Sequence, residues 1–302
     1  MQTTSTAAPA TGQRVASFSY GKGFLVFLLV FGAVLLSLAG FVLYLGTMLP
    51  HSAAGPVELT TSRGTTLNFS SPDLMIYATS AFLAVLGLGV LGLYVWQNRQ
   101  RQTSYELFED GIAHTTRGAR TYVPFSEIQD VYLFSSGQVA YTGLITNLAF
   151  RRTASEPFHR VLPSLKGFPT FMETFRELYL NARQPVVLDT LHGGGSITFN
   201  CINSAHVWRK RMGGDFLHLD TQPIVVSRDA VLVQNSVVPM STLRSMDHST
   251  WSETIEIRDA AGKVVLSTVA TGILSLDVFL STLGLLMESS VRGRPATVPA
   301  FA

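Results

Sequence analysis

Residues 24–49 and 74–96 are unbroken apolar runs without a single Asp, Glu, Lys, Arg or His, and the chain beyond them is mixed polar and apolar. At about 1.5 Å of rise per residue, helices over these runs are about 39 and 35 Å long, enough to cross a hydrocarbon core of about 30 Å with some tilt. A buried hairpin in a soluble protein would need apolar partners on every side of both helices, and no later segment is apolar enough to wrap them. The pattern predicts a transmembrane hairpin over residues 22–97, with a connecting loop at 50–73. Within the runs, Gly32, Ala33, Ser37, Gly40, Ser80, Ala84, Gly87, Gly89 and Gly92 offer small surfaces. These serve either to pack one span on the other or to form a seam between two copies of the chain. No charge lies within the spans, which argues against a transporter or proton relay.

Residues 1–21 are rich in Thr, Ser, Ala, Gln and Pro and hold too few large aliphatics to bury a core, so they are expected to be disordered. The tail 291–302 reads the same way, and 97–104 reads as a short polar linker. From Tyr105 short β-branched or aromatic runs alternate with Gly and Asp turn signals, the pattern of antiparallel strands. Further strand-like pieces lie at 139–142 and 144–150. Phe168, Phe171, Met172, Phe175, Leu178 and Tyr179 then recur at helical spacing up to residue 182, with Pro169 near the start, where proline is tolerated.

The same order returns. Residues 225–233 echo 107–113, each a strand, an Asp-containing turn and a second strand, and 238–243 echo 123–128. Strands at 253–258 and 263–268 and a helix over 274–287 follow, while 186–221 adds strand-like runs at 196–201 and 216–219. Internal duplication into units 105–184 and 186–290 accounts for this order; chance agreement between alternating strands and Val-Pro dipeptides is the alternative.

Arg14 and Lys22 precede the first span and Arg99 and Arg101 follow the second, whereas the loop between them carries Arg63 with Glu58 and Asp73. Positive-inside counting puts both termini in the cytoplasm. The first run is about twice the 7–15 residues of a signal-peptide core, so it reads as an uncleaved anchor. Asn68-Phe69-Ser70 fits a glycosylation pattern in the outer loop but is short enough to occur by chance. The lone Cys201 fits a reducing compartment. A net charge of +2 and a pI of about 8.7 are too mild for a nucleic-acid-binding face.

The run Tyr105-Glu106-Leu107-Phe108-Glu109-Asp110-Gly111-Ile112, followed by Val123-Pro124-Phe125-Ser126-Glu127-Ile128, resembles the opening of bacterial pleckstrin-homology-like (PH-like) domains. The second unit departs from it at Ala230, in place of the turn glycine, and at Leu243, in place of the isoleucine. Behind the two transmembrane helices read from the apolar runs, the resemblance implies an α+β part made of tandem PH-like antiparallel β-barrels each capped by a C-terminal helix, in a bacterial inner membrane. It also implies binding of lipid headgroups, peptides or other subunits, and no reaction.

Candidate contacts to a membrane surface or protein partner are the basic residues Arg117, Arg120, Arg151 and Arg152, together with Trp208, Arg209, Lys210 and Arg211. Loop cations near an anionic leaflet gain roughly 1 kcal/mol each, and cations beside an aromatic suit an interface. Solvated cations balanced by Glu106, Glu109, Asp110 and Asp215 are the plainer reading. His192, Cys201, His206 and His218 lack metal-ligand spacing, Gly193-Gly194-Gly195 lacks the Lys-Ser/Thr of a P-loop, and there is no nucleophile elbow. No cofactor, metal or catalytic residue is expected. The leading functions are a cytoplasmic, non-enzymatic scaffold for a protein partner, a second copy or anionic lipid, and an inhibitor or immunity-type protein working through the outer loop or the spans; a lipid-modifying enzyme, the third reading, would require polar residues gathered in one pocket.

Overall fold

The computed structural model describes residues 12–48, 55–60, 64, 66–134, 147–202, 217, 219–234, 236–249 and 254–292. The chain divides into two compact units, one of residues 20–103 and the other made of the segment before it and everything from Ser104 onward. A first strand, β1 (Arg14–Ser19), forms where residues 1–21 were expected to be disordered.

In the helical unit, α1 (Gly23–Met48) and α2 (Pro72–Gln100) are joined through a short antiparallel hairpin of β2 (Val57–Thr60) and β3 (Thr66–Phe69). Ser71 caps α2 by accepting the Leu74 N–H at 3.2 Å, Pro72 follows at the first helical turn, and Asp73 and Arg99 complement the helix dipole. Both helices are long and apolar enough to cross a membrane, and only 22% and 11% of their most apolar stretches are buried. A core helix of a soluble protein would be mostly covered. The two pack on each other through Gly32 and Gly87: a Cβ at Gly32 would stand 2.8 Å from Leu91, and one at Gly87 3.0 Å from Leu36. Ser80 Oγ donates to the Ala39 carbonyl at 2.9 Å, a buried interhelical bond. Gly40, Gly89 and Gly92 face open space. The predicted linker 97–104 is shorter than expected, because α2 runs to Gln100 and the next strand starts at Thr103.

In the other unit, β1 pairs with β4 (Thr103–Phe108), and β5 (Gly111–Thr116) and β6 (Ala119–Pro124) complete a four-stranded antiparallel sheet in the order β1-β4-β5-β6. Pro124 has no N–H to extend the ladder, and the chain leaves the sheet in a 3-10 turn at Phe125–Glu127. A three-stranded sheet of β7 (Asp130–Phe134), β8 (Asn147–Arg151) and β9 (His159–Val161) follows, then α3 (Phe168–His192). The order recurs as β10 (Ser196–Ile202), β11 (Thr221–Ser227), β12 (Ala230–Val233) and β13 (Ser236–Pro239), a 3-10 turn at Met240–Thr242, β14 (Leu243–Ser249), β15 (Thr254–Asp259), β16 (Val264–Val269) and α4 (Leu276–Arg292).

The recurrence extends to individual bonds. Ala16 opposes Leu107 and Ser19 opposes Ser104, while in the second half Ile197 opposes Val226 and Asn200 opposes Pro223. The Ser19 carbonyl accepts the Lys166 N–H at 3.1 Å, and the Asn200 carbonyl accepts the Leu274 N–H at 2.9 Å. Asp110 and Asp229 likewise accept Phe125 and Met240 at 2.9 and 2.8 Å. β1 therefore stands to the first half as β10 stands to the second, and the helical hairpin interrupts the first half between its first and second strands. The expected unit boundaries shift: the first half begins at Arg14 and runs to His192, and the second begins at Ser196.

Each half has two separate open sheets among the described residues, rather than the closed barrel that was expected. The proline and 3-10 turn that end β6 and β13 divide the strands, and a helix covers the core instead. In the first half Phe125, Phe150, Phe171 and Phe175 are fully buried, with Phe125 edge-on to Phe175 at 5.3 Å; in the second, Phe199 meets Phe279 at 5.2 Å. Fully burying one such ring contributes about 1.5–3 kcal/mol. The expected segments 139–142, 213–214 and 293–302 lie outside the described residues, as do Phe216 and His218.

The halves share a second core. Tyr132, Phe134 and Ala149 pack with Ile202, Val269 and Leu274. Beside this cluster the buried Asp130 carboxylate receives Arg151 at 2.6 Å and the Asn200 amide at 2.8 Å. Arg176 grips Asp277 through two bonds of 2.7 and 2.6 Å, which joins α3 to α4.

Candidate binding surfaces

The antiparallel order puts three features at one end of the first sheet: Ser19, where β1 finishes, the start of β4, and the β5–β6 turn. Arg117 and Gly118 form that turn with φ of 52° and 85°, the doubly left-handed geometry of a tight hairpin. Glycine suits it, whereas Arg117 accepts backbone strain to hold an exposed guanidinium at the tip. Arg120, next along, donates to Glu106 at 2.9 Å and lies over the Phe108 ring, and Arg14 shares the same carboxylate at 3.5 Å. This leaves two cations on one anion.

Arg152 lies in the β8–β9 loop, paired with Glu156 at 2.9 Å and with Glu127 at 4.0 Å. The Arg152 hydrogen bond holds the Glu156 carboxyl below its ordinary value. The loop leads into β9, where the His159 ring stands 4.5 Å from that of His114 on β5. Arg117 and Arg120 lie at the hairpin end of β6, whereas Arg152 stands beside Glu127, past the opposite end at Pro124, so these three cations are not brought together. Arg151 is set apart again: its guanidinium turns inward to Asp130 and covers Phe158 at 4.4 Å, making it a structural ion pair rather than a surface contact. Trp208, Arg209, Lys210 and Arg211, in the segment joining β10 to β11, lie outside the described residues.

The imidazole pair had no signal in the sequence, since its members are far apart in the chain. His114 is buried and its Nδ1 has no hydrogen-bond partner. Burial lowers the pKa of both rings; His159 further disfavours charge on His114, while Glu156 partly offsets the effect at His159. A metal held at roughly 2.0–2.1 Å from a nitrogen of each ring would keep the ring centres further apart than they stand here. Among the described residues no group of three His, Cys, Asp or Glu is placed to hold a metal ion.

Between the two sheets of the second half a cavity of about 190 Å³ is lined by Cys201, Gln222, Gln234, Ser267 and Thr268 over an aliphatic floor. Its polar groups are neutral. Burial pushes the Cys201 thiol up, which removes thiolate character. This arrangement offers neither a cradle for an anion nor an activated nucleophile.

The chain matches none of the protein-family models and none of the curated proteins compared with it.

Proposed function

We propose that this chain is a membrane-anchored, non-enzymatic binding platform: two PH-like halves held at the anionic cytoplasmic leaflet of a bacterial inner membrane by a two-span hairpin inserted into the first half. The observation that carries this reading is the pairing of β1 with β4. A strand before the spans and a strand after them share one sheet, which supports a single side for both segments, and the positive-inside bias favours the cytoplasm. The PH-like reading rests on the twice-repeated order of four strands, a 3-10 turn, three strands and a helix.

The connections into the spans are only Tyr20, Gly21 and Lys22 on one side and Arg101 and Gln102 on the other. With tethers this short, this reading assigns anionic headgroups to Arg117 and Arg120, at the sheet end from which both connections leave, each contributing roughly 1 kcal/mol. The test is hydrogen exchange of the full chain in lipid nanodiscs. Amides of residues 116–120 are expected to exchange more slowly in phosphatidylglycerol discs than in phosphatidylcholine discs, and Arg117→Gln with Arg120→Gln to abolish the difference. Equal exchange in both discs would refute leaflet binding.

The pairing of β2 with β3 supports a second reading, the inhibitor, because it puts two paired strands in the segment between the long helices. Exchanging residues 56–70 for a Gly/Ser linker separates the two: loss of the cellular phenotype favours the inhibitor, and retention favours the platform.

A further inference from the structure

At the loop-side end of the helical hairpin, Leu43, Gly46 and Thr47 of α1 face Asp73, Ile76 and Tyr77 of α2 around an open cavity of about 310 Å³. On both helices these are positions i, i+3 and i+4, so each contributes one face. Gly46 is the close-approach point, since a Cβ there would stand 3.0 Å from Ile76.

The polar groups of this cavity all favour a donor of positive charge. Asp73 is exposed and makes no ion pair among the described residues. The Thr47 hydroxyl donates to the Tyr44 carbonyl at 2.7 Å, leaving its oxygen lone pairs to accept. Tyr77 is 64% exposed and offers a ring face to a cation. Leu43 and Ile76 add aliphatic wall beside these acceptors. Because the cavity sits where two membrane-length apolar helices end, its surroundings are the headgroup layer.

We propose that this cavity is a lipid site for the primary ammonium of a phosphatidylethanolamine headgroup, with Asp73 as counter-ion, Thr47 as acceptor and Tyr77 as cation–π partner. A primary ammonium suits it better than a quaternary one because it carries three N–H donors for the two oxygen acceptors. The site depends on the helices spanning a bilayer and is independent of what the strand-rich unit binds.

The experiment is native mass spectrometry of the full chain released from nanodiscs of equal parts phosphatidylethanolamine and phosphatidylglycerol. Retained phosphatidylethanolamine is expected in about fivefold excess. The excess should fall to the bulk ratio in Asp73→Asn and persist in Asp73→Glu and Tyr77→Phe, which keep the charge and the ring and guard against a folding artefact. Retention at the bulk ratio by the wild type, or an excess that survives Asp73→Asn, overturns the proposal. Displacement of the lipid by millimolar free ethanolamine also overturns it, since it marks a soluble amine as the occupant.

Discussion

At the residue scale, Ser275 carries more of the join between the halves than its size implies. It precedes α4 with φ +54°, at the position where α3 has Gly167 with φ +75°. A left-handed serine is costly, and its buried side chain shows what offsets the strain: Oγ accepts the Val131 N–H at 3.0 Å, donates to the Gln129 carbonyl at 2.9 Å and meets Tyr179 Oη at 2.7 Å. Burial pushes the Tyr179 phenol far up, so it stays neutral in this network. Ser275→Ala keeps the strain and orphans the Val131 N–H and the Gln129 carbonyl, while Tyr179 keeps its bond to the Ile128 carbonyl, with an expected loss of about 2–4 kcal/mol in denaturant unfolding; Ser275→Gly relieves the strain and should lose about 1 kcal/mol less. Equal losses would show that the backbone there is unstrained. His114 sets a pH response of known sign. Its folded pKa lies below the ordinary 6.5, so the unfolded chain takes up the proton first as pH falls. The stability is fully present above about pH 6.5 and is lost as pH drops through that value toward the lower folded one. His114→Leu, which removes a buried nitrogen with no partner, is expected to match the wild type at pH 7.5 and to flatten the decline toward pH 5, as read by melting curves across that range.

At the scale of elements, the parts written by local periodicity were legible. The apolar runs, the Asp-turn strand pairs, the Val-Pro strands that end in 3-10 turns, and the aromatic stripe of Phe168, Phe171, Phe175 and Tyr179 all lie where the pattern puts them. What escaped were elements whose reason lies elsewhere in the fold. β1 has only Val15, Ala16 and Phe18 as apolar residues, none of them fully buried, and it exists because β4 offers an edge and Phe171 packs against Phe18 at 5.2 Å. The helical stripe predicts an end for α3 at residue 182, ahead of Pro185, yet the helix continues to His192. Proline removes one helical hydrogen bond, and the buried Val187 and Leu191 beyond it hold the last turns to the core. The basic residues were a composition signal that could not separate inward from outward: Arg151 and Arg152 are neighbours in sequence, and the pleat sends one into the second core and the other to the surface.

At the scale of the whole molecule, the two long apolar helices are an insertion within a sheet, between strands that pair directly, and not a segment attached ahead of a finished domain. A truncated chain beginning after the second span would then lack an edge strand. Its β4 would expose an unpaired ladder edge, a template for association with other chains, and the Phe171 ring would lose Phe18. Because Ser19 and Ser104 are direct cross-strand partners, the insertion can be excised without moving either strand. Joining them through Asn-Gly gives the two-residue turn that matches strand twist and converts β1 and β4 into an ordinary hairpin. This excised chain is expected to be soluble and monomeric and to melt cooperatively, with a strand-rich circular dichroism spectrum. A chain starting at Ser104 should melt roughly 6–12 °C lower, the shift for losing about 3 kcal/mol in a domain of this size, or aggregate. If the two melt together as monomers, β1 contributes nothing to the fold, and the shared side of the segments flanking the spans loses its support. If the excised chain alone is well behaved, the halves fold without the helical hairpin, and β1 is the strand that makes the domain self-sufficient.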